Sequence, residues 1–385
     1  MLALALALLL PTAAETPRPV SGVAPTAKPE FKLTVAKAWE APLDAIPLGA
    51  PRLVPGAAGA ATALLRLPAR VEARNVADGS LAWARADLAG AGLADCPPAP
   101  TPLGPALAWT GTLPAGPRLL LLAPSDGRTL AEIPLEAAPA GPPTPVGDAD
   151  GTVWYVPLAE GKVAVLGPEG KNGGWFSLGR EIEPPFAAVA GHALALVRPS
   201  MEMIVVGAPS AKPLARGVVP GTVVAAGARV FFGADRAVAA LRHRQGKAEP
   251  VGKEVWRQRL GGAITAPPLP LADRVLAASW DTNVYAFRAV NGHELWRTSI
   301  GSRIEAPLAL FKERFVLALA AGSATIRLLD AEKGALVGKI EGAPDDVFLG
   351  GAAADGDLVV VPALAAPAQT TVLRGYKATL VKNAD

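Results

Sequence analysis

The chain has 385 residues, 51% hydrophobic, 18% charged and 5% aromatic, with a formal net charge of +3. That much apolar material supplies a large core and excludes a disordered chain, and a small, scattered charge with no basic stripe among aromatics excludes a nucleic-acid surface. With 40 glycines and 39 prolines, the chain suits many short strands joined by turns, because both residues end helices and shape turns.

In chain order, "MLALALALLLPTAAETP" comes first. An apolar run from Leu2 to Leu10, then Pro11 and the small Ala13 and Ala14, predicts a secretory signal over residues 1–14, although no Lys or Arg precedes the run. A buried N-terminal element is the competing reading. The run is shorter than the ~20 residues that span a bilayer, and no other segment approaches that length without Gly, Pro or charge. Residues 15–30, with four prolines in "TPRPVSGVAPTAKP", read as a Pro-rich flexible leader. Residues 31–385 are expected to form one domain.

The one cysteine, Cys96 in "ADCPPAP", excludes an intramolecular disulfide, a CxxC pair and a cysteine zinc cluster. It stands far from the signal, so it is not placed for lipid attachment, and reads as a buried thiol.

The second half of the chain is periodic. Trp256 and Trp296 are 40 residues apart, each followed by Leu or Ile, Gly and then Ala-Pro, and "VGKIEGAPDDVFLG" continues the series with Ile340 matched to Ile300. Fainter copies carry Trp39, Trp83 with Asp78-Gly79, the segment around residue 132, Trp175 and the segment around residue 214. A period of this length marks a solenoid, propeller or array. Apolar runs such as "RVLAAS", "NVYAF" and "RFVLAL", bounded by Gly, Pro, Asn and Asp, read as strands, and no long stretch has helical spacing. Four short antiparallel strands per unit is the blade pattern of a propeller. The expected fold is all-β, an eight-bladed β-propeller of four-stranded antiparallel blades, with seven blades as the alternative. Residues 31–39 and 373–381 are expected to pair and latch the ring.

Within the strongest copy, "SWDTNVYAFRAVNGHELW", residues Ser279, Asp281, Tyr285, Ala286, Ala289, Gly292 and Trp296 fit the repeat Ser-x-Asp-Gly-x-x-Tyr-Ala-Leu-Asp-Ala-x-Thr-Gly-x-x-x-Trp, while Thr282, Arg288 and Asn291 depart from it. The chain therefore resembles PQQ-like propellers, and with a signal and eight units it is most similar to the BamB-type outer-membrane protein assembly factors. Packing accounts for the matched residues: Gly292 for a positive-φ turn, Asp281 for turn hydrogen bonds, and Trp83, Trp256 and Trp296 for wedges between sheets.

Quinoprotein relatives of this repeat imply a calcium-ligating carboxylate set, a catalytic Asp and often a vicinal cysteine pair, which a single Cys96 cannot form. Asp345-Asp346 and Asp148 with Asp150 are the nearby carboxylates, and the latter pair lacks the later bidentate Glu of a calcium loop. His192, His243 and His293 lie in separate units. "GPEGKNGG" lacks a Ser or Thr after Lys171, and no helix pattern follows it. No catalytic, cofactor-binding or metal-ligating residue is assigned, and no cofactor is expected.

The reading is a non-catalytic exported scaffold for protein partners. The resemblance implies outer-membrane assembly components as those partners and a periplasmic or outer-membrane-associated location. A monomer is expected, with no nucleic acid and no transmembrane span. The rival is a PQQ-dependent dehydrogenase-like enzyme or a small-molecule binder using the central channel. A ligand-binding ectodomain is a third reading.

Overall fold

A computed structural model describes residues 31–148, 151–167, 172–189, 191–206, 213–243 and 251–382. The expected signal and leader, residues 1–30, lie outside them.

Eight antiparallel sheets follow one another along the chain. Blade 1 is Arg52–Pro55, Ala61–Arg66, Val71–Asn75 and Leu81–Arg85; blade 3 is Thr144–Asp148, Gly151–Leu158, Lys162–Leu166 and Asn172–Ser177. Blade 5 is Val224–Ala226, Arg229–Gly233, Ala237–His243 and Val251–Arg259; blade 6 is Leu269–Pro270, Arg274–Ala278, Asn283–Arg288 and Glu294–Ser299. Blade 7 is Ala309–Phe311, Phe315–Leu319, Thr325–Asp330 and Leu336–Glu341. Within each blade successive strands pair as hairpins, first to fourth from the axis outward.

Two blades have three full strands. Blade 2 holds Leu107–Leu113, Gly116–Leu122 and Thr129–Pro134, and its innermost strand is reduced to the bridges Leu93–Trp109 and Ala99–Ala106. Blade 4 holds Ile182–Val189, His192–Val197 and Glu202–Val205, with the outermost position marked by the bridge Met203–Ala215.

Blade 8 closes the ring. Thr370–Lys382 pairs on one side with Leu358–Ala365 and on the other with the N-terminal strand Phe31–Pro42, in a register from Phe31–Lys382 to Pro42–Val372. The expected latch is present and longer than the sequence suggested. Val347–Phe348 and Ala353–Asp355 complete the inner edge. Arg374 fastens the seam: its Nε donates to Glu40 Oε2 at 2.7 Å, and its Nη1 donates to Asp346. Asp346 is buried and also accepts from the backbone N–H groups of Ala343 and Ala366 at 2.7 and 2.9 Å. Asp345 beside it is exposed.

The core lies between blades. Leu276, Ala278, Val284 and Ala286 of blade 6 pack with Val316, Ala318 and Leu329 of blade 7. This two-sided burial explains why the middle strands are almost continuously apolar. Among the described residues no helix is long and apolar enough to cross a membrane.

One contact recurs between neighbouring blades. The indole N–H groups of Trp39, Trp83, Trp256 and Trp296 donate to the carbonyls of Val76, Pro124, Ala289 and Ala331 at 2.9, 3.0, 3.1 and 3.2 Å. Each acceptor belongs to the next blade and stands three residues before a glycine, Gly79, Gly127, Gly292 or Gly334, with φ between +70° and +74°. A Cβ on any of them would lie 2.5 or 2.6 Å from the docked indole. Glycine is therefore required twice here, for the left-handed turn and for the close approach of the ring. The Cα partner of each tryptophan across its own sheet is small: Gly375, Ala73, Ala240 and Ala286.

These contacts bear out the turn expected of Gly292 and the wedge expected of Trp296, and the strand registers revise one expectation, the last period. Gly292 and Trp296 serve different interfaces, since Gly292 receives Trp256 and Trp296 docks on Gly334. The last period is longer than 40. Thr325–Glu341 and Asn283–Ser299 are equivalent pairs, so Ser299 corresponds to Glu341 and Trp296 to Gly338. Ile340 therefore matches Thr298 and not Ile300. Blade 8 is joined through the chain termini and has no turn for a tryptophan to meet; the site of a Cβ on Gly338 is filled by Leu33, 2.7 Å away.

Candidate functional site

A solvent-facing rim runs over the turn between the second and third strands of blades 5 and 6 and the connection between those blades. Its centre is Trp280. The turn around it is set by local bonds: Asp281 Oδ1 accepts from the Asn283 N–H at 3.1 Å, Asn283 Nδ2 donates to the Asp281 carbonyl at 2.9 Å, and the Tyr285 hydroxyl donates to Asp281 Oδ2. The Trp280 N–H donates to Ala263 O at 3.0 Å, tying the turn to the connection from blade 5. Gly261 and Gly262 make this approach possible, because a Cβ on either would run into Asp281. Thr282, where the repeat usually has glycine, sits at φ +73°, a strained conformation for a β-branched residue. Burial raises the Tyr285 pKa, and the hydrogen bond to Asp281 adds to the rise.

On this held backbone Trp280 is 40% exposed. The Arg303 guanidinium lies 5.6 Å from its ring centroid, within cation–π range. At the corresponding turn of blade 5 a hollow of about 500 Å³ is lined by Asp235, Arg236, Arg257, Arg259 and Leu260. Arg236 Nη2 donates to the Gly261 carbonyl, and Arg257 makes a forked pair with Glu254 at 3.0 and 2.7 Å. That pair raises the Arg257 pKa. Arg259 is exposed and has no hydrogen-bond or ion-pair partner among the described residues. Four guanidinium groups, of Arg236, Arg257, Arg259 and Arg303, stand with three carboxylates, of Asp235, Glu254 and Asp281, which leaves these groups a surplus of one positive charge.

A second feature is the axial cavity, about 770 Å³, with lining residues contributed by all eight blades, among them Leu53, Asp95, Pro142, Ala187, Val224, Pro267, Leu310 and Ala353. Its titratable lining residues are Arg52, Arg66 and Asp95. Arg52 Nε and Nη2 donate to Asp95 Oδ1 at 3.0 and 2.7 Å, Nη2 also reaches the Asp95 carbonyl at 2.9 Å, and Arg66 Nη2 donates to Asp95 Oδ2 at 3.0 Å. The calcium-held quinone of quinoprotein relatives does not fit this donor set. A divalent cation needs several oxygen ligands, and the one carboxylate here is already held by two cations. Among the described residues no group of three or more His, Cys, Asp or Glu could hold a metal.

The other residues weighed from sequence are dispersed. His192 opens the second strand of blade 4, His243 ends the third strand of blade 5, and His293 is exposed in the last turn of blade 6. Asp148 ends the first strand of blade 3, while Asp150 and Lys171 lie outside the described residues. Cys96 is half-buried, and burial pushes its thiol up to about 11, so it stays protonated at neutral pH. Trp280 and the Arg52–Arg66–Asp95 group were not singled out from sequence. The signal for the first was a tryptophan in a turn, where blade packing has no use for it; for the second it was isolated charges within "PRLVP" and "LLRLPAR".

Comparison with protein families matches the model described as outer membrane protein assembly factor BamB over residues 148–303 and 247–363. A comparison with curated protein sequences gives no match. Among solved structures, BamB from Moraxella catarrhalis is similar at 16% identity and a TM-score of 0.55, covering 91% of this chain and 99% of that one. The computationally designed Ika8 protein is similar at 14% identity and a TM-score of 0.58, covering 88% and 98%. The C-terminal WD40 domain of Sif2 is similar at 12% identity and a TM-score of 0.62, covering 89% and 99%. At these identities the structural likeness concerns the fold.

Proposed function

Because the chain belongs to the family of outer membrane protein assembly factor BamB, we propose that it is a non-catalytic scaffold that binds protein partners through the rim of blades 5 and 6. The observation that carries this reading is Trp280, exposed on a turn whose backbone is hydrogen-bonded to the connection from blade 5, with Arg303 near its ring and the arginine-lined hollow at the corresponding turn of blade 5. Protein interfaces concentrate their binding energy in Trp, Tyr and Arg, and a pre-ordered turn loses little entropy on docking. The positive rim selects an acidic surface and speeds encounter with it. The scaffold is exported, works as a monomer in the periplasm or at the outer membrane, and has outer-membrane assembly components as its partners.

Crosslinking and pull-down from envelope extract test this. The wild-type protein is expected to recover outer-membrane assembly components, and a Trp280→Ala, Arg303→Ala double variant with an unchanged circular dichroism spectrum is expected to recover few. Absence of those components from the wild-type sample would contradict the proposed partners, and equal recovery by the variant would contradict the proposed surface.

A further inference from the structure

The axial cavity has a character separate from the rim: apolar walls with a single polar spot. Half-buried Leu53, Ala187, Val223, Val224 and Leu310 line it, and the charge is confined to Arg52, Arg66 and Asp95. Both guanidinium groups converge on one carboxylate from two strands of blade 1, while Asp95 comes from the segment entering blade 2. Gly49 leaves room for this, since a Cβ there would lie 2.8 Å from Arg66 Nη2.

Asp95 does not exhaust its partners. It takes Nε and Nη2 of Arg52 and Nη2 of Arg66, so Nη1 of Arg52 and both Nε and Nη1 of Arg66 have no hydrogen-bond partner among the described residues. Two positive charges against one negative leave the spot with a surplus of one. Small-molecule sites of about 300–1,000 Å³ combine apolar walls with a few placed polar groups in this way.

We propose that the axial cavity binds a small monocarboxylate with an apolar body, its carboxylate held by Arg52 and Arg66 and its body against the channel walls. A planar carboxylate matches the forked donors of guanidinium, and one negative charge matches the surplus. A phosphate dianion would leave the spot net negative. Asp95 acts as an internal competitor that aligns both arginines and lowers the affinity for the guest. This binding does not depend on the protein-docking reading, whose Trp280, Asp235, Arg236, Arg257 and Arg259 do not line the cavity.

Isothermal titration of the full chain at neutral pH with decanoate, decanol and decyl phosphate tests the proposal. Decanoate is expected to bind saturably, with decanol weaker by about tenfold or more because the charge-assisted bonds are lost. Arg66→Met, which keeps an unbranched apolar side chain, is expected to weaken decanoate by a similar factor, and Asp95→Asn is expected to tighten it by about threefold or more by adding a net charge to the spot. No saturable decanoate binding, equal binding of decanol, or tighter binding of decyl phosphate would overturn the proposal. Should Arg66→Met fail to fold, the decanoate and decanol arms on the wild-type protein still decide it.

Discussion

Blades 5 to 7 and the seam from blade 8 into blades 1 and 2 are joined by docked tryptophans; the arc from blade 2 to blade 5 is joined differently. The residue four past the turn glycine is Trp83 in blade 1 and Trp296 in blade 6, but Ala131 in blade 2, and the outermost segment of blade 4 is Pro213-Leu214-Ala215. Blade 3 does carry a tryptophan at the equivalent place opposite Ala164, yet the Trp175 side chain is 53% exposed, with the Lys162 ammonium 5.8 Å from its ring. The period is clearest in sequence where two docked tryptophans, Trp256 and Trp296, stand 40 residues apart, and fainter around Trp39 and Trp83, although these dock on Gly79 and Gly127 in the same way.

The largest effect is expected from opening the seam. Truncation after Pro367 removes Thr370–Lys382, the partner of the N-terminal strand, and should abolish the single cooperative transition seen by circular dichroism. A variant with an unchanged melting transition would show that the ring does not depend on its latch. Next, Trp256→Ala, which removes a ring 7% exposed and docked on Gly292, should cost about 3–5 kcal/mol in urea unfolding. Trp175→Ala in the undocked arc should stay within about 0.5 kcal/mol. Equal costs would erase the distinction between the two arcs.

The seam also carries an acid dependence. The hydrogen bond from Arg374 holds Glu40 below its ordinary value of 4.5. Burial pushes Asp346 up, but the hydrogen bonds from Arg374, Ala366 and Ala343 together hold it below its ordinary 3.8. Carboxylates with depressed folded-state pKa values stabilise above the unfolded values and lose that contribution as pH falls through the folded ones. Arg374→Met should therefore be clearly less stable than wild type at pH 6, with the gap closing as the pH drops below 4.5 for Glu40 and 3.8 for Asp346. A gap independent of pH would remove these ion pairs from the account of the seam.

A small effect concerns the site. Thr282→Gly relieves a β-branched residue at φ +73° and should stabilise blade 6 by ~1 kcal/mol, the lower end of the cost of such strain. Destabilisation would mean that the hydroxyl contact of Thr282 with Ser299 at 3.1 Å outweighs the strain.

Much of this fold was legible because its punctuation is chemical. Asp78-Gly79 and Asn291-Gly292 mark the outer turns, the apolar runs mark the middle strands, and two terminal strands without local partners indicate a latch. What was not legible is non-local. Trp296 finds its acceptor 35 residues away and Trp83 finds its own 41 away, so sequence placed the indole and the glycine in one motif when they serve different interfaces. The burial of Asp346 depends on Arg374 arriving from the last strand, which no spacing within "APDDVF" discloses. Arg52, Arg66 and Asp95 lie 29 and 43 residues apart and meet only because the first two blades curve around the axis.

The two exposed tryptophans offer the most direct test of the central claim, that partners dock on the rim of blades 5 and 6. A photo-crosslinking amino acid placed singly at position 280 and at position 175 should, in intact cells, capture outer-membrane assembly components from position 280 and not from position 175. Capture from position 175 alone would move the docking surface to blade 3 and contradict the account.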